Sequence, residues 1–87
     1  MTIALYQEVA LNRDFPNYCL QQGDIATLID YVPHPEHGEE GAVLEVFDAL
    51  GNTVSVVTVP ISSIDALKAN DVLSIRRLAK ASTTAAK

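Results

Sequence analysis

The densest group of side chains able to do chemistry is His34-Pro35-Glu36-His37-Gly38-Glu39-Glu40. Two imidazoles three residues apart beside carboxylates are donors that zinc or nickel accept. All of them fall in one loop broken by proline and glycine, whereas a structural metal site draws on rigid segments and on groups that orient its ligands. The first reading is therefore a solvated acidic loop without a metal. A metal-binding protein acting through His34 and His37 is an alternative.

Nucleophilic catalysis needs Cys19 or a serine beside a histidine that an acid orients. Cys19 is flanked by Tyr18 and Leu20, which suits a small packed group, and both histidines lie in the loop. Glu39 and Glu40 are chain neighbours and not carboxylates facing across a cleft. Glycine-rich phosphate motifs are absent from the sequence. The expectation is a protein with no catalytic residues and no cofactor, not an enzyme.

Charge is distributed unevenly. Residues 1–67 set Arg13 against ten acids, a net of −9, while residues 68–87 set Lys68, Arg76, Arg77, Lys80 and Lys87 against Asp71, a net of +4. An acidic body repels phosphate backbones, which proteins usually approach through a basic face. Nucleic-acid binding is disfavoured; its version here is a small barrel using Arg76, Arg77 and Lys80 on phosphates.

These side chains need elements to position them, and 87 residues supply one domain. An apolar fraction of 48% with 20% charged residues is too hydrophobic for a disordered chain. It is rich for so small a globule, which leaves apolar side chains on the surface. The lone cysteine fits a reducing compartment. With no signal-like start and no apolar run near the ~20 residues that span a bilayer, the expectation is a cytoplasmic protein without membrane contact.

Residues 3–11 suit helix or strand, and Pro16 marks a loop before Gln22-Gly23-Asp24, a tight turn whose glycine and aspartate serve the backbone. Ile25–Val32 is β-branched and aromatic and stops at Pro33, which predicts a strand. Residues 42–47 and 54–59 are two more, joined through Asp48-Ala49-Leu50-Gly51-Asn52 as an antiparallel hairpin. Pro60 ends that ladder. Ser62 with Asp65 three residues on resembles a capping box, which predicts one or two helical turns over 63–69. Val72-Leu73-Ser74-Ile75-Arg76 is read as the last strand, and residues 79–87 as a flexible tail. The order describes an all-β domain over residues 1–78, a five-stranded SH3-like barrel with one short helical turn before its last strand.

The segments Leu5-Tyr6-Gln7-Glu8-Val9-Ala10-Leu11, Gly23-Asp24-Ile25-Ala26-Thr27-Leu28-Ile29, Leu44-Glu45-Val46-Phe47-Asp48 and Gly51-Asn52-Thr53-Val54 resemble a family of small bacterial proteins. It is known as domain of unknown function 4926 and is frequent in cyanobacteria. The likeness spans residues 5–77; where this chain has Ala26 the family usually has glycine. The resemblance implies an SH3-like barrel with no known active site, from gene pairs of toxin–antitoxin type.

The strand faces point to a surface. From Ala42 the inward set is Ala42, Leu44 and Val46, leaving Val43, Glu45 and Phe47 outward. In 54–59, Val54, Val56 and Thr58 share one face, and Ser55, Val57 and Val59 the other, so one valine pair faces out. Ile25–Val32 also mixes apolar residues on both sides. A solitary soluble barrel shows cleaner alternation, and exposed apolar patches mark contacts. The leading expectation is a protein-interaction module of antitoxin-like or inhibitory type. Val43, Phe47, Val54 and Val56 would contact a partner protein or a second copy, and the acids Glu36, Glu39 and Glu40 would steer a basic partner. The competing reading covers that face with the protein's own N-terminal segment or helical turn.

Overall fold

A computed structural model describes residues 3–34 and 38–77. Five strands form one antiparallel sheet: β1 Glu8–Leu11, β2 Ile25–Val32, β3 Gly41–Phe47, β4 Thr53–Pro60 and β5 Ile64–Ala66. Their order across the sheet, β4-β3-β2-β1-β5, is that of an SH3-like barrel. The ladder ends at β4 on one side and β5 on the other. The expected all-β domain is what the chain forms. Its helical content among the described residues is two single 3-10 turns, Pro16–Tyr18 and Ile61–Ser63.

The strand pattern follows from the residues. In β3 the predicted inward set, Ala42, Leu44 and Val46, is buried, and it stands opposite Val59, Val57 and Ser55 of β4. Leu28 of β2 pairs across to Leu44, and Ala26 to Val9 of β1. Leu28, Leu44 and Val9 are fully enclosed; a buried leucine or valine of this kind contributes roughly 1.5–3 kcal/mol over leaving it in water. Leu11, Leu20 and Ile64 close the core beneath β1 and β5.

The mixed pattern of β2 has a geometric cause. A bulge between Leu28 and Asp30 inserts Ile29 as an extra residue, so Tyr31, and not Asp30, returns to the inner face opposite Ala42. Tyr31 packs against the core and donates its hydroxyl to the Ile3 carbonyl. A second irregularity at Val46 and Phe47 lies beside the β3–β4 turn. Such bulges bend the strand and sharpen its twist, which curls a short sheet around its core.

Three local expectations are corrected. The helical turn precedes the last strand, as expected, but it occupies Ile61–Ser63, and residues 64–66 are strand and not helix. The edge of β1 is taken by β5, with Val9 opposite Ala66 and Leu11 opposite Ile64, because Ile64 buries its side chain there. Residues 72–76 therefore form no strand: they run on past the sheet, exposed and without a strand partner among the described residues. Ser62 does not open a helix either. Its amide is met by Glu39, while Asp65 accepts from the Asn12 side chain. The proposed tail, 79–87, lies outside the described residues.

Candidate protein-interaction face

The β3–β4 hairpin is fixed by its turn. Asp48 accepts hydrogen bonds at one carboxylate oxygen from the amides of Leu50 and Asn52, both at 2.9 Å. Gly51 stands at φ +90°, a torsion that side chains other than glycine adopt at a cost. The Asn52 amide is the first cause holding the Asp48 carboxyl below its ordinary range.

With the turn set, one side of the hairpin faces outward. Val43 stands opposite Thr58, Glu45 opposite Val56, and Phe47 opposite Thr53. The two candidate faces of β4 are thereby resolved: Val57 and Val59 are buried, while Val54 and Val56 are 40% and 55% exposed. Phe47 is 42% exposed and Val43 is half-buried. The four residues read from the sequence as a contact surface thus share the outer side of two adjacent strands. The protein's own N-terminal segment and 3-10 turn leave three of them about half in solvent. The N-terminal segment runs along β2, where the Tyr6 amide donates to the Leu28 carbonyl and the Leu28 amide to Gln7.

The electrostatics of this face have one sign. No lysine or arginine occurs between Arg13 and Lys68. Asp30 lies directly across from Val43. Glu45 projects beside Val56, its carboxylate accepting the Thr53 hydroxyl at 2.6 Å.

Glu39 and Glu40 just precede β3 at the end far from Phe47, roughly 25 Å away at the usual rise per residue. They do more than carry charge. The Glu40 carbonyl accepts the Ile61 amide, and the Glu39 carboxylate accepts the Ser62 amide at 2.5 Å, which ties the loop to the 3-10 turn. Bonds from Ser62 hold the Glu39 carboxyl below its ordinary range. Of the acidic loop, Glu36 lies outside the described residues.

The other chemical groups are placed as follows. Cys19, expected to pack inside, is exposed; it ends the Pro16–Tyr18 turn at φ +60°, which swings its side chain out of the core that Leu20 enters. His34 is exposed, His37 lies outside the described residues, and among those described no three His, Cys, Asp or Glu side chains gather as metal ligands. Arg76, which the nucleic-acid alternative sets on phosphates, grips Asp24 and the Cys19 carbonyl. Lys80 lies outside the described residues. An open cleft of about 320 Å³ beside Arg76 is lined by Asp14, Cys19 and Leu20, with no histidine among its described lining residues. No helix among the described residues is long and apolar enough to cross a membrane.

Fold and face together define a small all-β domain of SH3-like strand order bearing an apolar, acidic outer surface. No protein-family model matches the chain, and no curated protein or solved structure matches it.

Proposed function

We propose that this chain is a non-catalytic protein-interaction module that receives a basic partner protein on the outer face of β3 and β4. The observation that carries the reading is the half-exposure of Phe47, Val54 and Val56 on one face, with Asp30 and Glu45 among them and no basic residue on β2, β3 or β4. Covering those side chains releases water from apolar surface. The acids speed encounter with a cationic partner and disfavour an acidic one. An antitoxin-like or inhibitory role in the cytoplasm fits the same complementarity, an acidic protein occupying a basic one, and the resemblance to domain of unknown function 4926 leans that way.

The test is affinity capture by the tagged full chain from its native cytosol, with mass spectrometry of what is retained. A stoichiometric basic protein, lost with Val56→Lys and with Phe47→Lys while both variants keep the native circular dichroism, is the expected result. A bait that retains nothing, or a partner indifferent to both substitutions, overturns the reading.

A further inference from the structure

We infer that residues 72–75, which have no strand partner among the described residues of one copy, pair antiparallel with the same segment of a second copy. This surface is separate from the β3–β4 face, and the inference stands on different observations.

Val72-Leu73-Ser74-Ile75 has the composition of a strand, yet the sheet is complete without it. The segment is held at both ends. On one side the Lys68 amide donates to the Asp71 carboxylate at 2.7 Å and the Asp71 amide to the Lys68 carbonyl at 3.0 Å. On the other, Arg76 is fastened to Asp24 and to the Cys19 carbonyl. Between these anchors the backbone passes without turn or bend, and within the described residues no hydrogen bond is made by residues 72–75. Val72 is 91% exposed, Leu73 61% and Ile75 82%.

Four consecutive residues with free amides and carbonyls are a template for strand pairing. The Arg76 contacts restrain the end of the segment in the free protein, and restraint of this kind lowers the cost of association. The charges choose the partner and the direction. A two-fold axis through Ser74 sets Leu73 opposite Ile75, Val72 opposite Arg76, and Asp71 opposite Arg77, so opposite charges meet at both ends. The parallel in-register arrangement would set Asp71 on Asp71 and Arg77 on Arg77, which is repulsive. The segment is thus self-complementary in the antiparallel sense. The contact is far smaller than a standard interface, so the dimer is weak and depends on concentration.

The test uses the full chain. Sedimentation velocity from about 5 µM to about 1 mM, a range suited to a contact below standard size, should show a monomer passing to a dimer. Arg77→Asp, which sets acid against Asp71, should abolish the dimer, and Arg77→Lys, which keeps opposite charges at both ends, should retain it. In a Cys19→Ser background, Ser74→Cys should form an intermolecular disulfide at least tenfold faster than Asn52→Cys in the exposed hairpin turn, since opposed residues of paired strands bring their sulfurs within bonding reach. A monomer throughout the range overturns the inference. So does a dimer that ignores Arg77→Asp, or one lost with Val56→Lys, which would place the second copy on the β3–β4 face. A basic partner captured by a strict monomer would leave the proposed function standing and remove this pairing.

Discussion

Arg76 reaches back across 52 residues of sequence to clasp Asp24, its Nε on one carboxylate oxygen at 2.8 Å and a terminal nitrogen on the other at 2.5 Å. The same carboxylate accepts the Gln21 amide at 2.8 Å, so a single side chain both closes the turn before β2 and fastens the segment that leaves the sheet. A two-point guanidinium–carboxylate contact is directional as well as attractive. With the Asp24 side chain 18% exposed and that of Arg76 29%, solvent still screens the pair.

Arg76→Ala should therefore cost about 1 kcal/mol or less in urea unfolding. Asp24→Ala should cost more, because it also releases the Gln21 amide. In both variants trypsin should cut at Lys68 and Arg77 faster than in the parent. Equal losses for the two would show that the turn bond to Gln21 contributes nothing.

Acid should destabilise the fold through three carboxylates. Burial works to raise the Asp24 pKa, but the Arg76 and Gln21 bonds outweigh it and hold it below the ordinary 3.8. Glu39 lies below 4.5 through its bonds from Ser62, and Asp48 below 3.8 through the Asn52 amide. A carboxyl with a depressed folded-state pKa binds fewer protons than in the unfolded chain, so its stabilisation is complete above the unfolded value and is lost as pH falls through the folded one. Unfolding free energy should be flat from neutrality to the unfolded carboxylate range and fall below it. The fall should be shallower in Arg76→Ala, and an unchanged slope in that variant would separate Asp24 from the effect.

Leu28 and Leu44 face each other across β2 and β3 with no exposed surface. Truncating either to alanine should cost about 2–5 kcal/mol, a large share of the stability of so small a domain. Because they touch the same space, the double variant should depart from additivity in denaturant titrations. Simple additivity would indicate that the sheet does not hold them against one another.

Ser63 is wholly buried, and its hydroxyl has no hydrogen-bond partner among the described residues. An unpaired buried hydroxyl is a desolvation cost without return. Ser63→Ala should raise stability, by up to about 1 kcal/mol. Marked destabilisation on that change would reveal a bond made by the hydroxyl.

Val56→Lys and Phe47→Lys act on outward side chains, so their unfolding midpoints should stay close to the parent, within about 0.5 kcal/mol. Differential scanning calorimetry separates them from the core truncations. A large drop in Tm would mean that these residues belong to the core.

Much of the fold was legible along the chain because its signals are local. β2 was read as Ile25–Val32, its observed limits, from β-branched residues ended by Pro33. The β3–β4 hairpin was visible in Gly51 and the Asx residues on either side. Period two placed Ala42, Leu44 and Val46 inward, and by the same rule Val43 and Phe47 outward. The errors were non-local. Residues 72–76 were read as the final strand and 63–69 as helical turns, but which segment completes the sheet depends on which can bury a side chain beside β1. Ile64 does so from the end of the 3-10 turn.

By itself the sequence determined strand identity, turn chemistry and the segregation of charge, because those depend on neighbours a few residues apart and on composition. Tertiary structure alone decided which valines of β4 face water, since a period-two pattern apolar on both sides is symmetric until one face meets a core. It decided that Ile29 bulges and returns Tyr31 to the interior. It also assigned Glu39 to Ser62 and Arg76 to Asp24, pairings 23 and 52 residues apart. No local rule reaches that far: such contacts exist only once the sheet has curled and brought the ends of its strands together.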